Sequence, residues 1–239
     1  MKLKAVLFDR DGTLTDFDNT WGPAIAHVIS ELAGGDKSLA LELGKALDFD
    51  FENALFGEAS IIKVQTPFEY SQVWASVLGV PHSSVFVEKV EALLLEKSIE
   101  TVTPFSDTLV TIKELYSAGV PIGLATNGTE ASAKRQLKTL GIDHLFSFIA
   151  GYDSGYGSKP EPGQLLAFAK HLGISPKEIG MVGDSLHDMH AARNGGLQRI
   201  GVSTGAVSHG ELVLESDHVF TSLSGILPLF LGSDCCGVL

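Results

Sequence analysis

The chain has 239 residues, of which 44% are hydrophobic and 19% charged, a composition typical of a globular protein and not of a disordered or coiled-coil chain. Its formal net charge of −12 disfavours a nucleic-acid partner, because phosphate backbones are bound by patches of Lys and Arg. No apolar run reaches the roughly 20 residues that cross a bilayer. The only cysteines, Cys235 and Cys236, are adjacent near the C-terminus, so no disulfide framework is expected. We therefore expect a cytoplasmic protein of one large domain or two modest ones, and both a monomer and a homodimer are compatible with the sequence.

Six short apolar runs predict β-strands along the chain: AVLF (5–8), VPIGLA (120–125), FSFIA (146–150), IGMVG (179–183), RIGV (199–202) and HVF (218–220). From residue 104 these runs alternate with segments of helical periodicity, three of which end at a glycine, a common helix C-cap. Strict alternation of strand and helix indicates a parallel sheet with helices on both faces. The predicted fold class is α/β, with a Rossmann-like doubly wound parallel sheet as its core.

Residues 17–100 interrupt this alternation. WGPAIAHVISELAGG, FEYSQVWASVLG and VFVEKVEALLLEKS each have apolar residues at helical spacing, and no convincing strand lies between them. A connection of about 80 residues is far longer than an ordinary loop. We therefore predict that residues 1–16 and 101–239 form the α/β core, and that residues 17–100 form an inserted, all-helical cap domain.

The first predicted strand ends in two carboxylates, Asp9 and Asp11, which are followed by Gly12 and Thr13. Binding sites of open α/β sheets lie at the carboxyl ends of the strands. Alternation along an extended chain would send Asp9 and Asp11 to one side and Arg10 to the other. Two carboxylates this close repel one another, unless a proton, a cation or an anionic reaction partner makes the arrangement useful.

Further polar residues follow other predicted strands. Thr126 and Asn127 end the second, Asp184 ends the fourth with Asp188 in the first turn of the next helix, and Lys159 lies in the loop between. Taken singly, each has an ordinary structural explanation: a turn, a solvated lysine, a helix cap or a favourable helix dipole. Together they fall at one edge of the sheet, in the order that phosphoryl transfer requires.

In that chemistry Asp9 attacks phosphorus and forms an aspartyl-phosphate. Asp11 protonates the leaving oxygen and then deprotonates the attacking water. A divalent cation reduces the repulsion between Asp9 and an anionic substrate, and oxygen ligands favour Mg²⁺. Asp184 would hold that ion, with Asp188 bound to it directly or through water.

The remaining polar residues are predicted to bind the phosphoryl group. Thr126 would donate a hydrogen bond to it and Lys159 would supply positive charge, with Asn127 as a further contact. Both Thr126 and Lys159 also count among the predicted catalytic residues, because charge redistributes on the phosphoryl oxygens during transfer. The expected partner is a small phosphorylated metabolite.

The segments DRDGTLTD, LATNG, SKPEPG and GDSLHDMHAARNGG resemble, in order and spacing, the four motifs of the haloacid dehalogenase superfamily of phosphohydrolases. The resemblance covers nearly the whole chain, since helices inserted after the first motif are similar to the cap of phosphoglycolate-phosphatase-like members. It implies a Mg²⁺-dependent phosphatase with Asp9 as nucleophile and metal ligand. It also implies that the backbone carbonyl of Asp11 ligates the metal, that a mobile cap selects the substrate, and that phosphoglycolate is the best single guess.

Three alternatives stay open on the sequence: a sugar phosphomutase, a phospho-accepting regulatory module, and a catalytically inactive scaffold, which the intact motif residues disfavour. The resemblance implies that dehalogenases, phosphonate hydrolases and P-type ATPases lack an acid two residues after the nucleophile, so Asp11 argues against these three. Sugar phosphomutases retain it. A phospho-accepting regulatory module also combines an acidic cluster with a Thr and a Lys, but its accepting Asp would be expected in mid-domain. Arg10 replaces an apolar residue common in capped relatives, and we expect it to lie away from the carboxylates.

Overall fold

The computed structural model describes residues 2–63, 65–205 and 207–232, so the Cys235–Cys236 pair lies outside the described residues. The strands are β1 (Ala5–Phe8), β2 (Phe49–Asp50), β3 (Leu55–Phe56), β4 (Ile122–Ala125), β5 (Phe148–Ala150), β6 (Ile179–Gly183), β7 (Gln198–Val202) and β8 (His218–Phe220). The helices are α1 (Phe17–Ala33), α2 (Lys37–Lys45), α3 (Pro67–Leu78), α4 (Ser84–Thr101), α5 (Thr108–Ser117), α6 (Glu130–Thr139), α7 (Gly163–Leu172), α8 (Leu186–Gly195), α9 (His209–Glu215) and α10 (Leu227–Leu231).

The main sheet has six strands in the order β5-β4-β1-β6-β7-β8, and every neighbouring pair is parallel. Strand β1 lies in the middle: Phe8 pairs with Leu124 of β4 on one side and with Val182 of β6 on the other. The order reverses at β1, which places its carboxyl end at the position where open α/β sheets bind ligands. The predicted α/β class with a doubly wound parallel sheet is confirmed.

Alternate residues of β1 face two different hydrophobic cores. Val6 and Phe8 belong to a core that also includes residues of α5, α6 and α10. Ala5 and Leu7 belong to a second core formed with α7 and α8. Since all four side chains are fully buried, β1 reads as a continuous apolar run, as expected for a strand covered on both faces.

The chain divides into two compact units, one formed by the described residues of Met1–Asp16 and Pro104–Leu239, the other by those of Phe17–Thr103. The second unit extends past the expected limit at residue 100 because its last residues are tied to α1. Thr101 Oγ1 donates to the Thr20 carbonyl at 2.7 Å, and Thr103 N donates to Thr20 Oγ1 at 3.1 Å. This unit packs its helices around a core of its own with Trp74 fully buried.

The second unit contains a short β-ribbon besides its helices, whereas the sequence predicted helices alone. Strands β2 and β3 form a two-stranded antiparallel ribbon in which Phe49 pairs with Phe56. Each strand has only two residues, too few for an alternating pattern to be recognised in the sequence. Both strands contribute residues to the core of that unit. Within the described residues no helix combines the length and apolarity needed to cross a membrane.

Candidate active site

The first motif leaves the sheet through a tight turn. Asp9 N donates to the Val182 carbonyl at 2.9 Å, so Asp9 continues the pairing of β1 to the rim. Gly12 then adopts φ +82°, a left-handed conformation that favours glycine. Its N–H donates to the Thr15 carbonyl at 2.8 Å. The turn therefore fixes Asp9 at the carboxyl edge of the central strand.

Three carboxylates from distant parts of the chain meet at this edge. Asp184 directly follows β6, the neighbour of β1, and Asp188 lies in the first turn of α8. Together with Asp9 they each offer an oxygen within 4.8 Å of the others, and all three are buried. Asp188 is held by a capping box, in which its Oδ2 accepts from Ser185 N at 3.1 Å and from Ser185 Oγ at 2.7 Å.

Lys159 completes the cluster. Its ammonium Nζ lies 2.7 Å from Asp9 Oδ1 and 2.6 Å from Asp188 Oδ1, and the residue is only 4% exposed. Asn127 holds the Lys159 backbone with both ends of its amide: Nδ2 donates to the Lys159 carbonyl at 2.9 Å, and Oδ1 accepts from Lys159 N at 2.8 Å. In this geometry Asn127 positions the lysine, and its contact with a phosphoryl group stays a prediction.

Thr126 is 2% exposed at the end of β4. Its N–H donates to the Ala150 carbonyl at 3.0 Å, while its Oγ1 accepts from Gly128 N at 3.0 Å. Gln164 Nε2 donates to the Thr126 carbonyl at 3.1 Å. The hydroxyl proton is not used by the bond from Gly128, so Thr126 keeps the donor that the proposed phosphoryl contact needs.

Burial shifts the ionisation of this cluster. Burial, together with repulsion from Asp188 and Asp11, raises the pKa of Asp9 to about 7, although Lys159 opposes the shift. Burial also raises the pKa of Asp184 well above its ordinary value, with Asp9 and Asp188 adding repulsion. Burial alone would lower the pKa of Lys159, but the adjoining carboxylates outweigh it and raise it, so the lysine stays charged. One ammonium group does not balance three carboxylates, and a divalent cation would.

Two glycines leave room for the Asp184 carboxylate. A Cβ on Gly12 would lie 2.3 Å from Asp184 Oδ2, and one on Gly205 would lie 1.7 Å from the same atom. Glycines at both positions therefore leave the room that Asp184 occupies. The donor set consists of carboxylate oxygens, which are the ligands that Mg²⁺ prefers. The residues present thus fit a magnesium ion held by Asp9, Asp184 and Asp188.

The prediction that Arg10 points away from the carboxylates is wrong. Strand β1 ends at Phe8, so strict alternation no longer applies at residues 10 and 11. Arg10 Nε and Nη2 lie 2.9 and 2.6 Å from Asp11 Oδ2, and Thr15 Oγ1 lies 3.3 Å from Asp11 Oδ1. Asp11 is therefore an ion-pair partner of the residue beside it, while Asp9 faces Lys159.

Sequence reasoning missed two supporting hydroxyl groups. Thr13 is fully buried, and its Oγ1 donates to Asp184 Oδ1 at 2.9 Å. Thr204 Oγ1 donates to the Gly12 carbonyl at 2.6 Å. Thr13 lies within the first motif, but a single threonine beside a glycine gives no signal of a partner 171 positions away. The Ser185 cap was visible as a Ser-x-x-Asp pattern at the start of α8.

Comparisons with known proteins agree with this geometry. The family model for haloacid dehalogenase-like hydrolases matches residues 6–202. Among curated proteins, the phosphoglycolate phosphatase of Yersinia pestis is 29% identical over 235 residues, covering 95% of this chain and 92% of that protein. The phosphoglycolate phosphatase of Escherichia coli O157:H7 is 26% identical over 232 residues, with the same coverage.

Solved structures share the fold. CbbY from Rhodobacter sphaeroides, solved in complex with phosphate, has a TM-score of 0.68 at 18% identity, covering 94% of this chain and 96% of its own. A subfamily IA hydrolase from Geobacter sulfurreducens has a TM-score of 0.66 at 22% identity, covering 95% and 96%. The predictions of the superfamily, of its phosphoglycolate-phosphatase-like branch and of a phosphatase, a hydrolase of phosphoric monoesters, are confirmed. With its motif residues gathered at one sheet edge and most of its length matched by the family model, the chain belongs to the haloacid dehalogenase-like hydrolases.

Proposed function

We propose that this phosphatase is Mg²⁺-dependent and hydrolyses a small phosphomonoester through an aspartyl-phosphate on Asp9. The observation that carries the proposal is the buried cluster of three carboxylates, whose oxygens lie within 4.8 Å of one another, with Lys159 bonded to two of them. Three buried carboxylates beside one ammonium group are costly without a further cation. A Mg²⁺ ion bound there would reduce the repulsion between Asp9 and the substrate and polarise a phosphoryl oxygen.

In the first step, an oxygen of the Asp9 carboxylate attacks phosphorus. The phosphorus–ester oxygen bond breaks, its electron pair goes to the ester oxygen, and that oxygen takes the proton of the Asp11 carboxyl group. An alcohol leaves, and Asp9 carries the phosphoryl group. Lys159 and the Thr126 hydroxyl stabilise the charge that develops on the phosphoryl oxygens.

In the second step, Asp11 acts as a base. Water attacks phosphorus and gives a proton to the Asp11 carboxylate, the bond from phosphorus to Asp9 breaks, and its electron pair returns to the Asp9 carboxylate. Inorganic phosphate leaves, and both aspartates regain their starting protonation states. The two residues differ in their surroundings, since Asp9 lies in the carboxylate cluster beside Lys159 and Asp11 is bonded to Arg10.

Phosphoglycolate is the leading substrate within this proposal. Both curated relatives described above carry the name phosphoglycolate phosphatase, at 26–29% identity over nearly the full chain. Their identity to this chain supports the reaction class more strongly than it supports one substrate. We further propose that the unit at Phe17–Thr103 acts as the cap that selects the substrate, as in the branch that the chain resembles.

The test is phosphate release from a panel of phosphomonoesters, with and without magnesium. We expect release that requires magnesium, a preference for a small substrate such as phosphoglycolate, and loss of turnover in Asp9→Asn. Asn is close to Asp in size, so it removes the nucleophile while keeping most of the packing. Asp143→Asn changes a surface carboxylate of the same unit and serves as the matched control with unchanged activity.

Near-normal phosphate release by Asp9→Asn would rule out the covalent mechanism. Release from no member of the panel would reject the phosphatase and favour a non-catalytic role. Interconversion of glucose 1-phosphate and glucose 6-phosphate without net phosphate release would identify a mutase. Trapping of radiolabelled phosphate on the wild-type protein, but not on Asp9→Asn, would support the intermediate directly.

A further inference from the structure

We propose that Arg10 is a positioning residue that holds Asp11 in place for proton transfer to the leaving group. The inference rests on the proposed function, because it concerns how Asp11 performs the role assigned to it there. Arg10 donates to Asp11 Oδ2 through both Nε, at 2.9 Å, and Nη2, at 2.6 Å. Two donors from one rigid fork restrict the orientation of the carboxylate more than a single hydrogen bond does.

Burial makes this ion pair hard to break. Arg10 is 1% exposed, and its guanidinium is therefore almost fully removed from water. Leaving a buried charged group without its partner is strongly destabilising. Asp11 is the more exposed member, with 18% of its side chain accessible. The buried arginine thus fixes the position of the carboxylate that has access to solvent and substrate.

Residues at and just after the second motif, LATNG, also hold the guanidinium in place. Arg10 Nη1 donates to Ser132 Oγ in α6 at 3.0 Å. A Cβ on Gly128 would lie only 2.3 Å from Arg10 Nη2, so the glycine that follows Thr126-Asn127 leaves space for this side chain. Arg10 therefore links the proposed acid/base of the first motif to the loop that carries the proposed phosphoryl-binding threonine.

Both oxygens of Asp11 are oriented in this arrangement. Oδ2 receives the two Arg10 donors, and Oδ1 receives the longer bond from Thr15 Oγ1 at 3.3 Å. Oδ1 is thus the less strongly bonded of the two oxygens. Proton transfer needs the donor and acceptor within hydrogen-bond reach, so a carboxylate that rotates freely would lose much of its effect.

A positioning role of this kind depends on the leaving group. An alkyl phosphomonoester expels a strongly basic alkoxide, which must be protonated as the phosphorus–oxygen bond breaks. A nitrophenyl phosphate expels a phenolate that is stable as an anion, so it gains little from the acid. The ratio kcat/KM reports the steps through the first phosphoryl transfer. Loss of Asp11 positioning should therefore lower kcat/KM for the alkyl substrate selectively, whereas a general structural defect lowers it for both.

The experiment measures kcat/KM for phosphoglycolate and for p-nitrophenyl phosphate, with saturating magnesium, in wild type and in Arg10→Met. General acid catalysis contributes about 10²–10⁴-fold, and we expect Arg10→Met to forfeit about 30-fold of it on phosphoglycolate. The p-nitrophenyl phosphate value should stay within about threefold of wild type, because its leaving group needs little protonation. Arg10→Lys, which keeps one charged donor, should recover part of the loss. In an Asp11→Asn background, Arg10→Met should cost little more, since residues that act as a unit are not additive.

Two further variants keep the test decisive if Arg10→Met does not fold. Ser132→Ala removes only the bond to Arg10 Nη1, and we expect a smaller loss, about 3–5-fold, again confined to phosphoglycolate. Arg199→Met is the matched control, because Arg199 also pairs with an aspartate, Asp217, but lies near the amino end of β7. It should leave both substrates unaffected.

The outcomes separate the two proposals. If the wild type hydrolyses both substrates but the Arg10 and Ser132 variants lose activity equally on both, or lose none on phosphoglycolate, the positioning role is overturned and the phosphatase stands. If the wild type hydrolyses neither substrate with magnesium present, the proposed function fails, and the role of Arg10 fails with it. Selective loss on phosphoglycolate in either variant supports the inference.

Discussion

Magnesium should stabilise this protein far more above neutral pH than below it. In the metal-free protein, burial raises the pKa of Asp9 from 3.8 to about 7. Between these two values the folded protein binds a proton at Asp9 that the unfolded chain does not bind. Since stability falls with pH wherever the folded state binds more protons, the free energy of unfolding should decrease as the pH rises from about 4 to about 7. Asp184, whose pKa is raised by the same burial, contributes with the same sign.

The magnitude follows from the shift at Asp9. A tenfold change in proton affinity corresponds to about 1.4 kcal/mol, so the change from 3.8 to about 7 amounts to about 4 kcal/mol of lost stability. A metal that binds only the folded state, present at about a hundred times its dissociation constant, raises the free energy of unfolding by about 2.7 kcal/mol. For a chain of this length each kcal/mol moves Tm by about 2–4 °C, so saturating magnesium should raise Tm by about 5–10 °C at alkaline pH. At acid pH protons compete for the same oxygens, and the rise should be much smaller.

The assay is thermal unfolding followed by circular dichroism at about pH 5 and about pH 8, with magnesium or with a chelator. This window lies above the titration of carboxyl groups with a lowered pKa, such as Asp217, whose stabilising effect is lost only as the pH falls through their lowered folded pKa values. Asp9→Asn should flatten the dependence in the chelator and weaken the magnesium response, while Asp143→Asn should change neither. A metal-free protein whose Tm rises across this window, or an equal magnesium shift at both pH values, would refute the reasoning.

Three further predictions concern single substitutions. Asn127→Ala removes both hydrogen bonds to the Lys159 backbone, so steady-state kinetics should show kcat about tenfold lower; unchanged kcat would contradict the positioning role. Gly205→Ala places a Cβ against Asp184 Oδ2, so magnesium titration should show binding at least about tenfold weaker. An unaltered affinity would reject this role of the glycine. Trp74→Ala should cost about 3–5 kcal/mol in urea unfolding, because Trp74 is fully buried; a loss below about 1 kcal/mol would contradict its core position.

The convergence of the carboxylates was predictable because it follows from topology. Alternating strands and helices indicate a parallel sheet, and parallel strands deliver their carboxyl ends to one edge. Asp9 and Asp184 each directly follow a strand end, and β1 and β6 are neighbours in the sheet. The pattern therefore predicted which residues meet without any knowledge of distances.

Side-chain partners were less predictable, because they depend on where regular geometry stops. Alternation ends at Phe8, two residues before the Arg10–Asp11 pair, so the predicted direction of Arg10 had no physical basis beyond that point. Asn127 was assigned to the phosphoryl group since it follows a strand end, but its amide closes on the backbone of Lys159, 32 positions away. The ribbon of β2 and β3 is too short to leave a period-two pattern.

Two buried basic side chains, Lys159 and Arg10, explain how carboxylates two positions apart coexist in the first motif. Lys159 bonds Asp9 from a loop 150 positions away, whereas Arg10 bonds Asp11 locally. Asp9 therefore shares the ammonium group of Lys159 with Asp188, whereas Asp11 pairs with the guanidinium of Arg10. Asp9 remains in a cluster that a divalent ion would complete, and Asp11 remains bonded to a guanidinium that α6 holds through Ser132. Different roles for two identical side chains thus follow from their surroundings. The chemistry depends on these surroundings, and not only on the spacing of the two aspartates in the sequence.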